Sequence, residues 1–386
     1  RKFIPLPVPN SGGREKEYVN EAVVSEWVST GGSKVGGFEQ AVADYVGMPR
    51  AVACNSGTSG LHLALLCAGV GAGDEVIAPA LTFIAAVNPI RYVGAQPVFL
   101  GCYDSLCLSP QALEDFCRNR CELRDGVLYN QSTGRAVKAI MVVHVFGNLA
   151  DMERMMEIAA RYCLTVIEDS TEALGSHYTA GPYSGQHAGT MGDIGVYSFN
   201  GNKIITTGAG GMLVSNHPEW AEHAKHLSTQ AKSDELQFFH DEVGYNYRMT
   251  NLQAALGLAQ LEQLEGFIAH KHRLYSHYHA ALHGKRGLRL LPFREQDTRP
   301  NKWFFSLYLG DEYPLKRDEL IARLAEQKIQ TRPVWALINE QKSYRSCETF
   351  ALEKAEHYRA KIVNLPCSTN LALEDADRVI KAVLSV

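Results

Sequence analysis

From Ala51 onward, short β-branched apolar runs alternate with stretches whose apolar residues recur every three or four positions. The runs are AVACN, EVIAPAL, AQPVFLG, AIMVVHVFG, TVIEDS, GVYSFN and GMLVSN. Between them lie SGLHLALLCAGV, FIAAVNPIRYVG, SPQALEDFCRN and ADMERMMEIAARYC, which read as helices. Such alternation predicts βαβ units and a mostly parallel sheet. The runs are almost wholly apolar, as strands covered by helices on both faces require. Two helices are expected ahead of them, over roughly residues 14–28 and over FEQAVADYVG, the second ending at Gly47. ELRDGVLYNQSTGRAV reads as a surface hairpin or loop insert. After Asn251 the character shifts, and NLQAALGLAQLEQLEGFIAHKHRLYSHYHAALHG reads as one long helix. KWFFSLYLG, KRDELIARLAEQKIQ and a helix after NLPCSTNLALEDA complete a smaller α+β domain. The expected organisation is a large domain over residues 1–250, then a connecting helix and small domain over residues 251–386.

Composition narrows the function. Of 386 residues, 46% are hydrophobic and 21% charged, as in a soluble globular protein with ample core. The net charge of −4, with basic residues scattered, argues against nucleic acid as a partner. Nine cysteines at irregular spacing, Cys117 and Cys121 being the closest pair, read as free thiols of a reducing compartment. They form neither a disulfide frame nor a zinc-ligand pattern, and no metal is expected. No apolar run reaches the ~18 residues of a membrane span. The opening RKFIPLPVPNSGG has no apolar core of a signal peptide, so a cytoplasmic location is expected.

Candidate chemistry starts at Lys203, inside GVYSFNGNKIITTGAGGM. A lysine at a strand end ordinarily snorkels to water. A semi-apolar setting instead makes it a nucleophile suited to an aldehyde. Asp169 closes the apolar run TVIED, and in a doubly wound sheet the carboxyl ends of strands face the ligand crevice. A carboxylate there suits the protonated pyridine nitrogen of pyridoxal phosphate, though it could also cap a helix or bind metal. In CNSGTSGLHLALL a strand end meets a helix start, so Gly57, Thr58 and Ser59 offer a phosphate seat or an ordinary N-cap. Neither a Walker A loop nor a G-x-G-x-x-G fingerprint is present. Phe83 could stack on a flat ring or simply pack in the core, and Ser198 could add a hydroxyl to a phosphate. Together these residues supply every part a pyridoxal phosphate site needs.

On these residues, the chain resembles the nucleotide-sugar aminotransferases of the DegT/DnrJ/EryC type over nearly its whole length. The motifs include WVSTGGSKVGGFE, NSGTSGLHLAL, GDEVIAPALTFIAAVN, HVFGNLADM, IEDSTEALGS, GDIGVYSFNGNKIITTGAGGM, GYNYRMTNLQAALGLAQLEQL and IQTRPVW. The wording SFNGNKIITTG and TQAK is most similar to the branch linked to legionaminic acid and related 4-amino-4,6-dideoxy sugars. The resemblance implies an α/β, fold-type I transferase with a mostly parallel seven-stranded sheet and a smaller C-terminal domain. It implies Lys203 as the lysine that takes up the cofactor aldehyde and Asp169 as the pyridine-nitrogen partner. Glu172 would lie near the cofactor hydroxyl, and Gly57, Thr58, Ser59 and Ser198 at its phosphate. Phe83 would stack on the ring, and Arg332 falls in a region that lines substrate sites. Asn246, in preference to Arg248, would reach the phosphate of a neighbouring subunit, which implies a homodimer with shared active sites. The implied reaction is ping-pong amino transfer from L-glutamate to a nucleotide-linked 4-keto-6-deoxy sugar. UDP-2-acetamido-2,6-dideoxy-4-ketohexose is the expected substrate and GDP-4-keto-6-deoxymannose the alternative. Dehydration is a rival reaction in relatives that carry histidine in place of the lysine. A cofactor-binding regulatory module is a second rival, but it would usually carry an appended DNA-binding segment. One departure stands out: Gly101 in PVFLGCYD replaces a usual aspartate.

Overall fold

The computed structural model describes residues 2–386. Ten strands build the large sheet, nine of them being β1 (Val52–Cys54), β2 (Glu75–Pro79), β3 (Gln96–Leu100), β4 (Cys121–Arg124), β5 (Val127–Asn130), β6 (Ala136–Val143), β7 (Thr165–Asp169), β8 (Ile194–Ser198) and β9 (Gly211–Ser215). Seven of them run in the order β1-β9-β8-β7-β6-β2-β3. The β3-β2-β6-β7-β8 pairs are parallel, and β9 lies antiparallel to both of its neighbours. The expected hairpin forms as β4–β5, with β5 paired to β6. This is the α/β, mostly parallel architecture that the alternating pattern predicts.

Several elements differ from the sequence expectation, two of them for a long-range reason. The first helix, α1, spans Glu15–Val24 only. The second, α2, spans Ser33–Val46 and starts well before Phe38. Its first turn is satisfied from far away: the Asn251 side chain accepts from the Lys34 backbone N–H at 3.0 Å and donates to Trp27 O at 2.7 Å. FIAAVNPIRYVG gives only a 3₁₀ turn over Ile84–Ala86 and a short helix over Asn88–Tyr92. The long helix is broken into Asn251–Leu261 and Leu264–Leu282. At the break Gln260 and Gln263 both donate to buried Glu15, and Gln260 also donates to Asn10 O at 2.6 Å. The first half packs on α1 and α2, and the second on the final helix Leu373–Leu384 and the strand Leu288–Leu290.

A four-stranded antiparallel sheet follows, formed by Leu288–Leu290, Phe305–Leu309, Ile362–Leu365 and Arg332–Pro333. The expected boundary at residue 250 is crossed twice. Ile4 bridges Ile329, and Leu6 O accepts from Cys367 N at 3.0 Å, so the N-terminal segment sits with the smaller sheet. Thr349–Phe350 returns to the large sheet and pairs in parallel with β3. This explains Gly101. A Cβ there would lie 1.8 Å from Ala351 O, so a side chain and the added strand exclude each other.

Candidate active site

The segment KIITT is not a strand. It lies in the bends between β8 and β9, held by Thr207 N to Phe199 O at 2.9 Å and Thr206 N to Gln260 Oε1 at 3.2 Å. Ile204 and Ile205 are apolar because this loop is buried. The turn Asn200–Lys203, closed by a 3.0 Å backbone bond, aims the lysine inward. The Lys203 side chain is 11% exposed, with Nζ 3.8 Å from Glu172 Oε1. The same Nζ lies 4.2 Å from the centre of the Trp303 indole. Burial pulls the Lys203 amine below the ordinary lysine range, against the opposing pull of Glu172 and Asp169.

Asp169 ends β7 and is almost fully buried. Burial raises its carboxyl, while bonds from the Thr171 side chain and from Thr171 N at 3.1 Å, and the charge of Lys203, hold it down. Glu172 lies one turn further on, where its Oε2 accepts from Phe146 N at 2.7 Å. Its carboxyl is raised to about 7, chiefly by burial, with Lys203 opposing. Glu168, directly before Asp169, faces the other way and is fully engaged. It meets His144 Nε2 at 2.7 Å, accepts from Gly189 N and Met191 N at 2.7 Å each, and accepts from Gly192 N.

The phosphate seat forms where β1 ends and the helix Gly57–Cys67 begins. Ser56 is the N-cap, its hydroxyl accepting from Ser59 N at 3.0 Å. Ser59 is therefore not turned into the cavity as expected; its N–H serves the cap and its hydroxyl donates to Asn55 Oδ1 at 2.6 Å. Gly57, Thr58 and Ser198 do line the cavity. A Cβ on Gly57 would come within 2.9 Å of Ser198 Cβ, so glycine is required for this close approach. Across the sheet edge, a Cβ on Gly211 would lie 2.5 Å from Ser56 O.

These residues surround a cavity of about 340 Å³, the size of a small-ligand site. Phe83, 51% exposed, forms part of its wall after β2. The C-terminal part of the chain adds Trp303, Phe304 and Trp335. The sequence reading did not single out these three; it placed KWFFSLYLG in the C-terminal α+β part and took Arg332, not Trp335, as the candidate of TRPVW. Arg332 is exposed on the edge strand Arg332–Pro333, and it is Trp335 that reaches the cavity. Asn246 is exposed and lies outside the cavity wall of its own chain. Arg248 is held in an ion pair with Glu39 and donates to Ala53 O at 3.3 Å. The donor set fits pyridoxal phosphate. It combines a helix N-terminus with flanking hydroxyls for a dianion, a buried carboxylate for a pyridinium, and a low-pKa lysine for an aldehyde.

The sheet order and the match to known proteins make this an α/β, fold-type I pyridoxal phosphate-dependent sugar aminotransferase. The chain belongs to the DegT/DnrJ/EryC1/StrS aminotransferase family, whose family model matches residues 9–384. It is 38% identical to a GDP-perosamine synthase of Caulobacter vibrioides, over 98% of this chain and 97% of that protein. It is 37% identical to the GDP-perosamine synthase of Escherichia coli O157:H7, over 99% and 98%. Among solved structures, the aminotransferase TlmJ from Streptoalloteichus hindustanus superposes with a TM-score of 0.88 at 27% identity, covering 99% of this chain and 98% of that one. Among the described residues, no helix is long and apolar enough to cross a membrane.

Proposed function

We propose that this chain aminates C4 of GDP-4-keto-6-deoxymannose with L-glutamate as donor. The observation that carries the nucleotide and sugar is the similarity, over nearly the full length of both partners, to two GDP-perosamine synthases. It favours the alternative substrate over the UDP-2-acetamido-2,6-dideoxy-4-ketohexose expected from the legionaminic-acid branch. That UDP sugar stays as the second reading, supported by the wording SFNGNKIITTG and TQAK. Lys203 in place of histidine supports amino transfer over dehydration.

Pyridoxal phosphate, when bound, supplies an electron sink and carries the amino group between the two half-reactions. In this reading Lys203 would hold the aldehyde and its buried amine would move a proton to and from the reacting carbon. Asp169 would keep the pyridine nitrogen protonated. Glu172, raised to about 7, sits within reach of Lys203 to share its proton. Gly57 and Thr58 offer backbone N–H groups at the helix start, Thr58 and Ser198 add hydroxyls, and Ser59 supports the cup from behind through its cap bond. Phe83 and the Trp303–Phe304–Trp335 wall keep water from the reacting face. Exposed Asn246 is assigned to the neighbouring site of a homodimer, and Arg332 lies outside the set. Soluble nucleotide sugars as substrates fit a cytoplasmic location. The test is a panel of GDP-, UDP- and dTDP-linked 4-keto sugars, following 2-oxoglutarate release and amino-sugar formation by NMR. Turnover confined to the UDP sugar sinks the GDP assignment, and sugar loss without 2-oxoglutarate sinks amino transfer.

A further inference from the structure

A second lysine is buried in the molecule, and the proposed chemistry does not use it. Lys271, on the helix Leu264–Leu282, is 2% exposed. Among the described residues no carboxylate pairs with it; its ammonium donates to Trp303 O at 2.7 Å and to Cys367 O. The Cys367 thiol donates to the same Trp303 carbonyl at 3.5 Å, and the Phe305 ring lies 5.5 Å from the Lys271 nitrogen. A buried ammonium with only carbonyl partners is an expensive choice for filling a core. What it holds is the strap Asn301–Phe304. Asn301 Nδ2 donates to Glu172 O and Leu174 O at 2.9 Å each, and its N–H donates to Ser176 Oγ at 2.9 Å. Lys302 takes a left-handed φ of 54°, which turns the chain so that Trp303 N meets Phe146 O at 2.9 Å. The Trp303 indole N–H then donates to Asn202 O at 2.8 Å, beside Lys203. One short strap thus grips the backbone at Glu172 and at the residue before Lys203, and lays its indole on the Lys203 nitrogen.

We propose that Lys271 is a positioning residue for Lys203: by clamping the Trp303 and Cys367 carbonyls it fixes the strap whose indole seals the Lys203 amine from water. The consequence for catalysis rests on Lys203 being the cofactor-binding lysine. Labelling of the amine in the cofactor-free chain does not, so the two readings fail separately. Releasing the strap admits water to Lys203. Loss of the indole face alone would push the amine the opposite way, but burial is the larger influence on it, ahead of Glu172 and Asp169.

The test is trace acylation of the cofactor-free chain with acetic anhydride across pH, read on the Lys203 peptide by mass spectrometry. Lys271→Met is expected to raise the labelling midpoint by about one unit, an approximately tenfold slower reaction at a pH below both midpoints. Trp303→Phe should give the same shift, and the double variant no more than Trp303→Phe alone, because both act through one strap. Lys271→Gln, which keeps N–H donors for the carbonyls, should retain the parent midpoint. A Lys271→Met chain that melts earlier but labels Lys203 as the parent does overturns the proposal, as do additive shifts in the double variant. If Lys271→Met does not fold, Trp303→Phe decides alone: an unmoved midpoint overturns the proposal.

Discussion

Glu168 and Asp169 are adjacent on one strand end and, by the alternation of a strand, face opposite sides of the sheet. On one side Glu168 is saturated. His144 accepts from Ala150 N at its Nδ1 (3.1 Å), so its Nε2 is the donor, and three backbone N–H groups complete the set. That side welds β7 to the loop 189–192 and to the turn after β6. On the other side Asp169 is bonded through Thr171 and looks into the cavity with Glu172 and Lys203. Two equally buried carboxylates thus serve opposite ends. The one with all its lone pairs matched holds structure, and the one left short of donors keeps its charge available to a ligand.

The comparison can be tested from its strongest consequence downward. Lys203→Ala should lower 2-oxoglutarate release from L-glutamate by at least about a thousandfold. Parent-like turnover in that variant removes the reactive side altogether. Asp169→Asn should cut kcat by roughly 10²–10³-fold with no loss of melting temperature. Glu168→Gln should do the reverse, costing about 3 kcal/mol in urea unfolding while the folded fraction keeps near-parent kcat. If Glu168→Gln instead lost activity at full stability, the division between the two carboxylates would be wrong. A pH effect comes next. Burial holds the Glu172 proton to about pH 7, whereas the ordinary carboxyl loses it near 4.5. The folded chain binds more protons across that window, so stability falls as pH rises through it, by at most about 3 kcal/mol. Glu172→Gln should flatten that slope in the cofactor-free chain, and an unchanged slope would assign it to another group. The smallest effect is expected at Arg332→Ala, with stability within about 0.5 kcal/mol and little change in KM. A large rise in KM for the keto sugar would return Arg332 to the substrate.

The parallel sheet was legible because its strands are buried on both faces and so read as unbroken apolar runs. Lys203, Asp169 and Ser198 stood out because each is polar at or just beyond the end of such a run, where the ligand crevice opens. The phosphate cup was legible as a stretch but not atom by atom. Ser56 and Ser59 are both serines of NSGTS, and only the cap geometry shows that Ser56 lines the cavity while Ser59 turns back to Asn55. KIITT carries strand-type residues because burial under Gln260 and its helix selects the same residues that a strand would. The wall of Trp303, Phe304 and Trp335 was not legible, since the site residues it meets, Phe146, Asn202 and Lys203, lie a hundred residues or more before it and no local period reports them. The break at Gln263 was hidden for the same reason: its cause is Glu15.

The two-residue strand Thr349–Phe350 has a consequence beyond the space it denies at Gly101. Strand β3 is apolar along its length and would otherwise end the sheet with a row of open backbone groups, a template on which another chain could add. The short strand covers the C-terminal end of that row, taking Phe99 N and Gly101 N, and is itself too brief to recruit a partner. A proteolytic nick near residue 349, or a return to aspartate at Gly101, would unseat it and present QPVFL to its neighbours. The expected first sign of such damage is light scattering on storage, ahead of any fall in turnover.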